Sequence, residues 1–449
     1  MAPARQTRRQ FLNRALLSGL AAGCSPALVH AATMPQPALA RTPSAAGQRL
    51  PSEVDTVVIG AGAAGLAAAR RLETYGRSVL VLEADSRIGG RAYTDTTTFD
   101  APVDIGCAWL HQADRNPFTP LAQSRGFDLF PHDDSPFDLF RDGKRVNDED
   151  VAHYAHALEQ VEAAIMGHKG TDMSLYDLLR LQRKREAHAR GDRNPSPQTW
   201  ANRLAQITLG ALDAAGNAEQ LSVLGVQQHG SNQPNWLVRE GFGTLVATLG
   251  AGLPIALGAH VKQIDYSGKR VHVTTTRGSV SAKHCIITVS TGVLQSEAIR
   301  FVPALPAATL QAIDDLPMGH FNKVVLELDD HLQEQVHGGW LLDTRTTEDD
   351  ALNFVCHPFG AKQVIALAGG RYAETLSTME RREAVAETTE KLRQCIGGLQ
   401  GRVVRQGLNT TWARNPFTLG SYAYVKPGGE NARGVLGTPI NDRLFFVSR

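Results

Sequence analysis

A glycine-rich turn near the start of the chain has the residue types and the spacing that bind the phosphates of a dinucleotide. It reads GAGAAG from Gly60 to Gly65 and stands between a β-branched stretch and a stretch of good helix formers. Gly60 allows a tight strand-to-helix turn, Gly62 lets the backbone approach a pyrophosphate, and Gly65 lets the helix pack closely on the strand. From Ala63 onwards, the start of the helix offers free N–H groups and a positive dipole end to the phosphates.

Glu83 and the segment after it indicate which dinucleotide is bound. Glu83 ends a second apolar strand about 20 residues after the turn, where a carboxylate accepts hydrogen bonds from a ribose 2′-OH and disfavours a 2′-phosphate. The next segment holds two adjacent glycines between two arginines, namely Arg87, Gly89, Gly90 and Arg91. Such a segment suits a second backbone approach to phosphate with guanidinium groups nearby, which favours FAD over NAD. The acid at Glu83 argues against NADP.

From Gly60 through Arg91 the sequence resembles the flavin-containing amine oxidases, which include monoamine oxidases, polyamine oxidases, histone lysine demethylases and L-amino-acid oxidases. The segment from Val103 to His111 is similar to the D-x-G-x-x-W-x-H segment of that family. Asn116-Pro117 follows it, as in the polyamine-oxidase branch. The resemblance extends over roughly residues 53–446, and it implies FAD, bound non-covalently, as the cofactor.

The resemblance also assigns roles to single residues. It implies that His111 lies near the flavin and the substrate amine, and that Lys323 hydrogen-bonds through water to flavin N5. It implies that Tyr422 forms one wall of an aromatic cage, that backbone atoms of Val261 meet the adenine, and that Trp412 contacts the cofactor. The sequence pattern alone favours plainer interpretations, namely a half-buried histidine, a surface lysine at a strand start and a core tyrosine.

With these roles, the resemblance implies the oxidation of an amine that is polyamine-like or a monoamine. The expected chemistry is hydride transfer to flavin N5, giving an imine or aldehyde and hydrogen peroxide, with oxygen as the acceptor. Trp109-Leu110-His111 favours polyamines. One alternative is an L-amino-acid oxidase, which would need an arginine for the substrate carboxylate that the sequence does not identify. Another is an inactive, truncated flavin-fold protein that serves as a binding partner.

The strands and helices expected around these residues indicate an α/β fold class. A discontinuous, doubly wound FAD-binding domain of the Rossmann-like type is expected to interleave with a mixed α+β substrate domain. The FAD-binding domain is expected in three parts, residues 53–115, 235–300 and 406–449, of which the last is truncated. The substrate domain is expected as a helical insert over residues 116–234 and a sheet over residues 301–405.

The helical insert carries a periodic apolar pattern. Residues 147–190 are predicted to be helical, because apolar residues recur there at three- and four-residue spacings and predict one buried stripe. The residues of that stripe are Val151, Tyr154, Leu158, Val161 and Ile165. The basic stretch 180–193 is interpreted as a solvated helix face, and Arg193–Pro197 as a surface loop that ends the helix.

Composition excludes several classes of protein. Hydrophobic residues at 42% and charged residues at 20% are ordinary for a globular protein. The net charge of +1 provides no electrostatic basis for binding nucleic acid. The five cysteines form no CxxC pair and no zinc-finger pattern, so we predict scattered buried thiols and no metal site. The sequence does not indicate an oligomeric state.

The N-terminus is predicted to be an export signal. Thr7–Leu12 matches the twin-arginine pattern, and the apolar run Ala15–Val29 is shorter than the ~18–20 residues that span a bilayer. Residues 1–31 are therefore expected to be a cleaved signal peptide and residues 32–52 a linker, which predicts a periplasmic or secreted protein with no transmembrane segment. Lipid attachment at Cys24 is the alternative.

The resemblance implies a longer C-terminus than the printed sequence has. Family members continue from an R-L-F-F segment, here Arg443–Phe446, into A-G-E and a glycine-rich stretch over the flavin. This chain instead continues Val447-Ser448-Arg449. The tail would supply a second FAD contact, the other cage wall and any cysteine for covalent flavin attachment. If Arg449 is the true end, weaker FAD binding and lower activity are expected.

Overall fold

A computed structural model describes residues 49–132, 137–191, 198–229, 233–332, 336, 339–399 and 401–447. In chain order the strands are β1 Glu53–Ile59, β2 Val79–Leu82, β3 Thr94–Asp95, β4 Val103–Asp104, β5 Trp109–Leu110, β6 Leu129–Pro131, β7 Phe137–Arg141, β8 Lys144–Arg145, β9 Trp236–Val238, β10 Ile255–Ala256, β11 Val261–Asp265, β12 Val271–Thr275, β13 Gly278–Ile287, β14 Arg300–Val302, β15 Phe321–Leu328, β16 Trp340–Asp343, β17 Leu352–Cys356, β18 Gln363–Gly369, β19 Val404–Asn409 and β20 Leu444–Phe446.

The helices connect and cover these strands. In chain order they are α1 Ala63–Thr74, α2 Phe118–Ser124, α3 Asp148–Gly167, α4 Leu175–Ala189, α5 Trp200–Ile207, α6 Val223–His229, α7 Phe242–Ala247, α8 Thr291–Gln295, α9 Ala307–Asp314, α10 Gly370–Thr378, α11 Arg381–Ile396 and α12 Ala432–Leu436. A short π-helical turn, Thr208–Leu212, continues α5, and 3-10 turns span Thr248–Gly250, Glu348–Asp350 and Pro358–Gly360.

The first sheet carries the glycine turn. Its strand order is β10-β2-β1-β13-β12-β11-β14, and β20 also pairs with β13. Strands β2, β1, β13 and β20 run parallel to one another in the middle of the sheet, and β13 pairs antiparallel with β12 on its other part. The four residues of β2 are all buried, as are Val57, Val58 and Ile59 of β1. This parallel core is covered on both faces, since Val57 and Val58 belong to separate hydrophobic clusters.

The second sheet carries Lys323. Its strand order is β19-β15-β18-β17-β16-β7-β8, and the pairs that involve β15 are antiparallel. Helices α10 and α11 pack on one face of it, where Leu376 and Leu392 join the apolar side chains of β15 and β18. Together the two sheets form the α/β fold predicted from the sequence. Strands of the first sheet come from residues 53–82, 255–302 and 444–446, so that sheet is discontinuous along the chain.

The predicted helical stretch over residues 147–190 is two helices. Asn147 caps α3 by accepting from the Asp150 N–H at 2.8 Å, and Ser174 caps α4 by accepting from the Asp177 N–H at 3.0 Å. A helix cap satisfies N–H groups that a continuous helix would bond internally, so a new helix begins at Ser174. The basic residues of α4, including Arg180 and Lys184, form the solvated face that was predicted.

The apolar stripe of α3 is shorter than predicted. Tyr154, Val161 and Ile165 are buried, whereas Leu158 is half-buried and Val151 is 38% exposed. Val151 lies in the first turn of the helix, before the stretch that packs into the helical cluster. Periodicity indicates which face of a helix is apolar, but it does not indicate how far along that face the neighbouring elements reach.

The prediction of buried thiols was wrong at one position. Cys285, Cys356 and Cys395 are buried and unpaired, but Cys107 is exposed. Over the described ranges, no helix is long and apolar enough to cross a bilayer, and no group of three or more metal-ligating side chains comes together. Several predictions fall outside the described residues, namely the signal peptide, the attachment site Cys24 and the loop Arg193–Pro197. Of the predicted linker, the structure describes only residues 49–52.

Candidate active site

The two glycine segments meet at the start of α1. Gly62 and Gly89 form a parallel bridge, and the Gly89 N–H donates to the carbonyl of Ala61 at 2.8 Å. Gly60 has a φ of +102°, a conformation that a side chain would strain. A Cβ on Gly90 would lie 3.3 Å from the Gly62 Cα. That distance is tight for a Cβ, and the Gly90 φ of +57° also favours glycine, so the turns present backbone rather than side chains.

This glycine surface fits a pyrophosphate. The 12-residue helix α1 has no side-chain cap at Gly62 and no acidic residue in its first turn. Its first N–H groups and its positive dipole end are therefore available to an anion. A Cβ on Gly62 would meet one heavy atom within 4 Å, the carbonyl oxygen of Gly89 at 3.9 Å. The space in front of Gly62 is open, as the predicted phosphate contact requires.

Glu83 lies at the carboxyl end of β2, where the ribose was predicted. Its side chain is buried and accepts from the backbone N–H of Ala61 at 2.6 Å and of Asp85 at 2.8 Å. Burial raises the pKa of this carboxyl. The Ala259 N–H donates to the Glu83 carbonyl at 2.8 Å, and Val261 begins β11 two residues later. The structure thus brings the predicted adenine and ribose positions together.

The two arginines of the second glycine segment differ in their surroundings. Arg87 lies 3.5 Å from the Asp85 carboxylate, and its guanidinium lies 4.3 Å from the centroid of the Tyr93 ring. Arg91 is half-buried, and its Nη1 donates to the carbonyl of Ser421 at 2.6 Å. Arg91 therefore joins the cofactor end of the molecule to the segment that contains Tyr422.

Lys323 is a buried lysine on β15. Its side chain is 4% exposed, its Nζ donates to the Asp104 carbonyl at 2.7 Å, and its Nζ lies 5.4 Å from the centroid of the Trp109 ring. Burial lowers the pKa of Lys323 to about 8, because desolvation penalises the ammonium more than the negative charge of Asp104 favours it. The interpretation as a surface lysine, favoured by the pattern alone, was wrong.

Asp104 organises the surroundings of Lys323. Its carboxylate accepts from the N–H groups of Phe242 and Gly243 at 2.7 and 3.0 Å, at the start of α7, and from the Thr94 hydroxyl at 2.6 Å. The Trp412 Nε1 donates to the carbonyl of the next residue, Ile105, at 3.1 Å. Trp412 therefore fixes the loop that carries the carbonyl bound by Lys323.

Tyr422 and Phe321 form an aromatic surface on the same side of β15 as Lys323. Residues two apart on a strand share a face, which places Phe321 and Lys323 together. The Tyr422 ring lies 5.9 Å from that of Phe321, and its hydroxyl donates to the Asp213 carbonyl at 3.1 Å. Asp213 directly follows the π-helical turn of α5. The hydroxyl is thus anchored to backbone.

Two further side chains near Lys323 and Arg91 are neither fully buried nor free of surrounding protein. Tyr422 and Cys107 both retain accessible area, although protein surrounds them. This enclosure raises the pKa of both groups, that of Cys107 to about 12, so both stay protonated near neutral pH. The charges of Asp104, Lys323 and Arg91 all act on the Cys107 thiol, so these groups lie close together.

His111 lies outside this group. It is exposed, its Nδ1 lies 2.7 Å from the Asn235 Oδ1, and its carbonyl accepts from the Asn116 Nδ2 at 2.9 Å. It stands two residues beyond Trp109, whose ring faces Lys323. The structure therefore brings Arg91, Lys323 and Tyr422 together through hydrogen bonds and ring contacts, while His111 occupies the neighbouring surface.

Three residues of the site received no role from the sequence. Asp104 stands in the recognised D-x-G segment, so its spacing was a usable signal. Phe321 and Asn235 carried no signal, because each contacts a residue far away in the chain. Phe321 contacts the Tyr422 ring, and Asn235 contacts the His111 ring.

Comparisons with known proteins identify relatives over most of the chain. The family model described as "Flavin containing amine oxidoreductase" matches residues 63–448. Polyamine oxidase 4 of Oryza sativa subsp. japonica is 30% identical over 419 residues, which cover 88% of this chain and 83% of that protein. Lysine-specific histone demethylase 1 homolog 3 of Arabidopsis thaliana is 30% identical over 468 residues, covering 88% of this chain and 28% of that protein.

Two solved structures share the fold. Cyclohexylamine oxidase from Brevibacterium oxydans IH-35A superposes with a TM-score of 0.72 at 21% identity, covering 88% of this chain and 93% of that one. A redesigned putrescine oxidase superposes with a TM-score of 0.70 at 19% identity, with the same two coverages, 88% and 93%. At these identities the likeness supports the arrangement of the two sheets.

Gly62→Ala is expected to weaken FAD binding without unfolding the protein. The added methyl group has room in the cofactor-free fold but occupies the space in front of the turn, so the FAD dissociation constant should rise about tenfold or more, equivalent to ~1.4 kcal/mol. Titration of the cofactor-free protein with FAD measures the constant, and thermal unfolding measures stability.

Two further glycines provide controls for this prediction. A Cβ on Gly65 would lie 2.0 Å from the Gly60 carbonyl oxygen, so Gly65→Ala should lower the melting temperature. Among the described residues, a Cβ on Gly434 would meet no heavy atom of a neighbouring element within 4 Å, so Gly434→Ala should change neither quantity much. Unchanged FAD affinity in Gly62→Ala would contradict the assignment of this turn.

Proposed function

Because the chain belongs to the flavin-containing amine oxidoreductase family, we propose a polyamine as the amine that it oxidises. The protein is an FAD-dependent amine oxidase. FAD supplies the redox chemistry, accepting a hydride from the carbon next to the amine nitrogen and passing two electrons to oxygen. The products are an imine, which water hydrolyses to an aldehyde, and hydrogen peroxide.

The chain's own groups suit the predicted non-covalent attachment of FAD. The N–H groups at the start of α1 would bind the pyrophosphate, and Glu83 has lone pairs left to accept from the ribose hydroxyls. Arg91 would bring a positive charge to the flavin end, where its guanidinium is already oriented by the Ser421 carbonyl. These contacts are hydrogen bonds and charge interactions.

The aromatic surface of Tyr422 and Phe321 is the observation that carries the proposal of an amine beside Lys323. Aromatic faces attract ammonium groups by cation–π interaction and align the adjacent C–H bond for transfer. Lys323 stands two residues from Phe321 and is positively charged. Because like charges repel, a second ammonium of the substrate is better placed away from Lys323. His111 and Asn235 lie on the neighbouring surface and would contact the remaining part of a long amine.

Two observations bear on the choice among amines. Several of the most similar curated proteins are named polyamine oxidases. An L-amino-acid oxidase is the alternative, and it would need an arginine free to bind a carboxylate. Arg91 is assigned above to the flavin end, where its Nη1 also donates to the Ser421 carbonyl, and Arg371 pairs with Glu219 and Glu348. The structure therefore favours an amine without a carboxylate.

Peroxide release by the FAD-loaded protein tests the substrate class. Spermidine, tyramine and L-amino acids are compared at equal concentration, and the expected order places spermidine first. Tyr422→Ala should raise KM for spermidine by about tenfold, since a cation–π contact contributes ~1–2 kcal/mol when desolvated.

Tyr422→Phe is the matched variant for that test. It keeps the aromatic wall and loses the hydrogen bond to Asp213, so its KM should stay within about threefold of the parent value. Oxidation of L-amino acids in preference to both amines would overturn the polyamine proposal. An absence of flavin bands in the visible spectrum after loading would instead indicate a protein that does not hold FAD.

Lys323→Met should slow the reaction of the reduced enzyme with oxygen and leave anaerobic flavin reduction nearly intact. An ammonium stabilises negative charge that develops on oxygen, and removal of one such group lowers a rate by about 10²–10³-fold. In the parent enzyme the oxygen reaction should slow as pH rises through about 8, where Lys323 loses its proton.

Stopped-flow measurement of both half-reactions across pH provides the comparison. Lys323→Met should show no inflection near the pKa of Lys323. Lys362→Met makes the same substitution at an exposed lysine beside the same sheet, and it should behave like the parent. Equal oxygen reactivity in Lys323→Met and Lys362→Met would refute the role given to Lys323.

We also propose export by the twin-arginine route to the periplasm or the exterior. The sequence of residues 1–31 supports this proposal, through the arginine pair Arg8-Arg9 and the apolar run that follows. A fusion of this segment to a folded reporter protein should be exported, and replacement of both arginines by lysine should retain it in the cytoplasm. Export that persists in the lysine variant would contradict the route, and acylation at Cys24 would identify a lipid anchor.

A further inference from the structure

A small cavity approaches Lys323 from the side of the second sheet. Its volume is about 40 Å³, and its inner end is formed by Lys323, Asp104 and Trp109. Val355 and Ile365, which pair across β17 and β18, form part of its wall. Neither Tyr422 nor Phe321 lines it. The aromatic surface is therefore not part of the wall of this cavity.

The lining of this cavity is mostly apolar. Its polar side chains are Asp104, Gln363 and Lys323, and each is already engaged. The Gln363 Nε2 donates to the carbonyl of Ala101 at 3.1 Å, the Asp104 carboxylate holds the start of α7, and the Lys323 Nζ donates to the Asp104 carbonyl. A small space with a mostly apolar lining can admit a small apolar molecule.

The outer end of the cavity reaches the surface beside an aromatic ring. Pro102 is exposed there and Phe359 is half-buried. The Phe359 backbone has a φ of +55°, a conformation that costs energy for a residue with a side chain. Its ring packs edge-on against Phe130 at 5.6 Å, and the Arg239 guanidinium lies 5.0 Å from its centroid. These contacts hold the ring at the mouth of the cavity.

We propose that this cavity is the route by which dioxygen reaches Lys323, separate from the route of the amine. Sites for organic ligands have volumes of about 300–1,000 Å³, so a cavity this small excludes an amine but admits a diatomic molecule. The lysine at its inner end provides the positive charge that favours electron uptake by oxygen. Dioxygen takes two electrons from the reduced cofactor and two protons, and it leaves as hydrogen peroxide.

This inference rests on the proposed function in one respect, since oxygen is taken to be the electron acceptor. Its first test does not depend on activity. Xenon binds apolar protein cavities and serves as a probe for oxygen. In crystals of the FAD-loaded protein under xenon pressure, we expect a xenon peak between Lys323 and Phe359. A cavity without xenon, or one filled by ordered water, would overturn the proposal.

Ile365→Phe should close the route. The larger ring should displace xenon and lower the second-order rate constant for the oxygen reaction by about tenfold, while anaerobic reduction by spermidine stays unchanged. Ile365→Leu conserves the volume of the side chain and is the matched control, with xenon and the oxygen rate retained. If Ile365→Phe does not fold, Phe359→Trp at the half-exposed mouth provides a second blocking variant.

Reduction by dithionite separates this inference from the proposed function. Flavin reduced chemically still reacts with oxygen, so the effect of Ile365→Phe is measurable even if spermidine fails to reduce the parent enzyme. In that event the substrate proposal fails and the oxygen route is still tested. An oxygen rate that is unchanged in a variant whose cavity has lost xenon would show that dioxygen arrives another way.

Discussion

Asp104 binds three separate stretches of the chain at once. Its carboxylate accepts from the N–H groups at the start of α7 and from Thr94, and its carbonyl accepts from the Lys323 Nζ. These contacts reach α7, β3 and β15, which are far apart in the chain. A buried ammonium is unfavourable unless it is hydrogen-bonded, so the position of Lys323 depends on that carbonyl.

The glycine turn and Glu83 were predictable because their pattern is local. The turn, the strand before it and the helix after it lie within a few residues of one another, and the backbone geometry that they require leaves little choice of residue. Lys323 and Tyr422 could be assigned only by resemblance. Their burial depends on elements hundreds of residues apart, and the pattern around Lys323 alone indicated a surface position. The contact of Phe321 with Tyr422 has no signature in the sequence for the same reason.

Two errors of prediction have a common physical origin. Val151 continues the spacing of the apolar stripe but lies before the packed part of α3, and Cys107 stands in an apolar segment but is exposed. Composition and spacing describe one chain element at a time, whereas burial depends on which other element lies opposite. The boundaries assigned to the domain segments remain predictions for the same reason.

Three side chains of the site share one property, which is that each donates a hydrogen bond to a main-chain carbonyl. Arg91 is held by the carbonyl of Ser421, Lys323 by that of Asp104, and Tyr422 by that of Asp213. A main-chain carbonyl survives almost any substitution at its residue. Side chains such as that of Asp213 can therefore diverge during evolution while the tyrosine keeps its place. An architecture of this kind allows relatives to acquire new substrates without rebuilding the machinery that oxidises them.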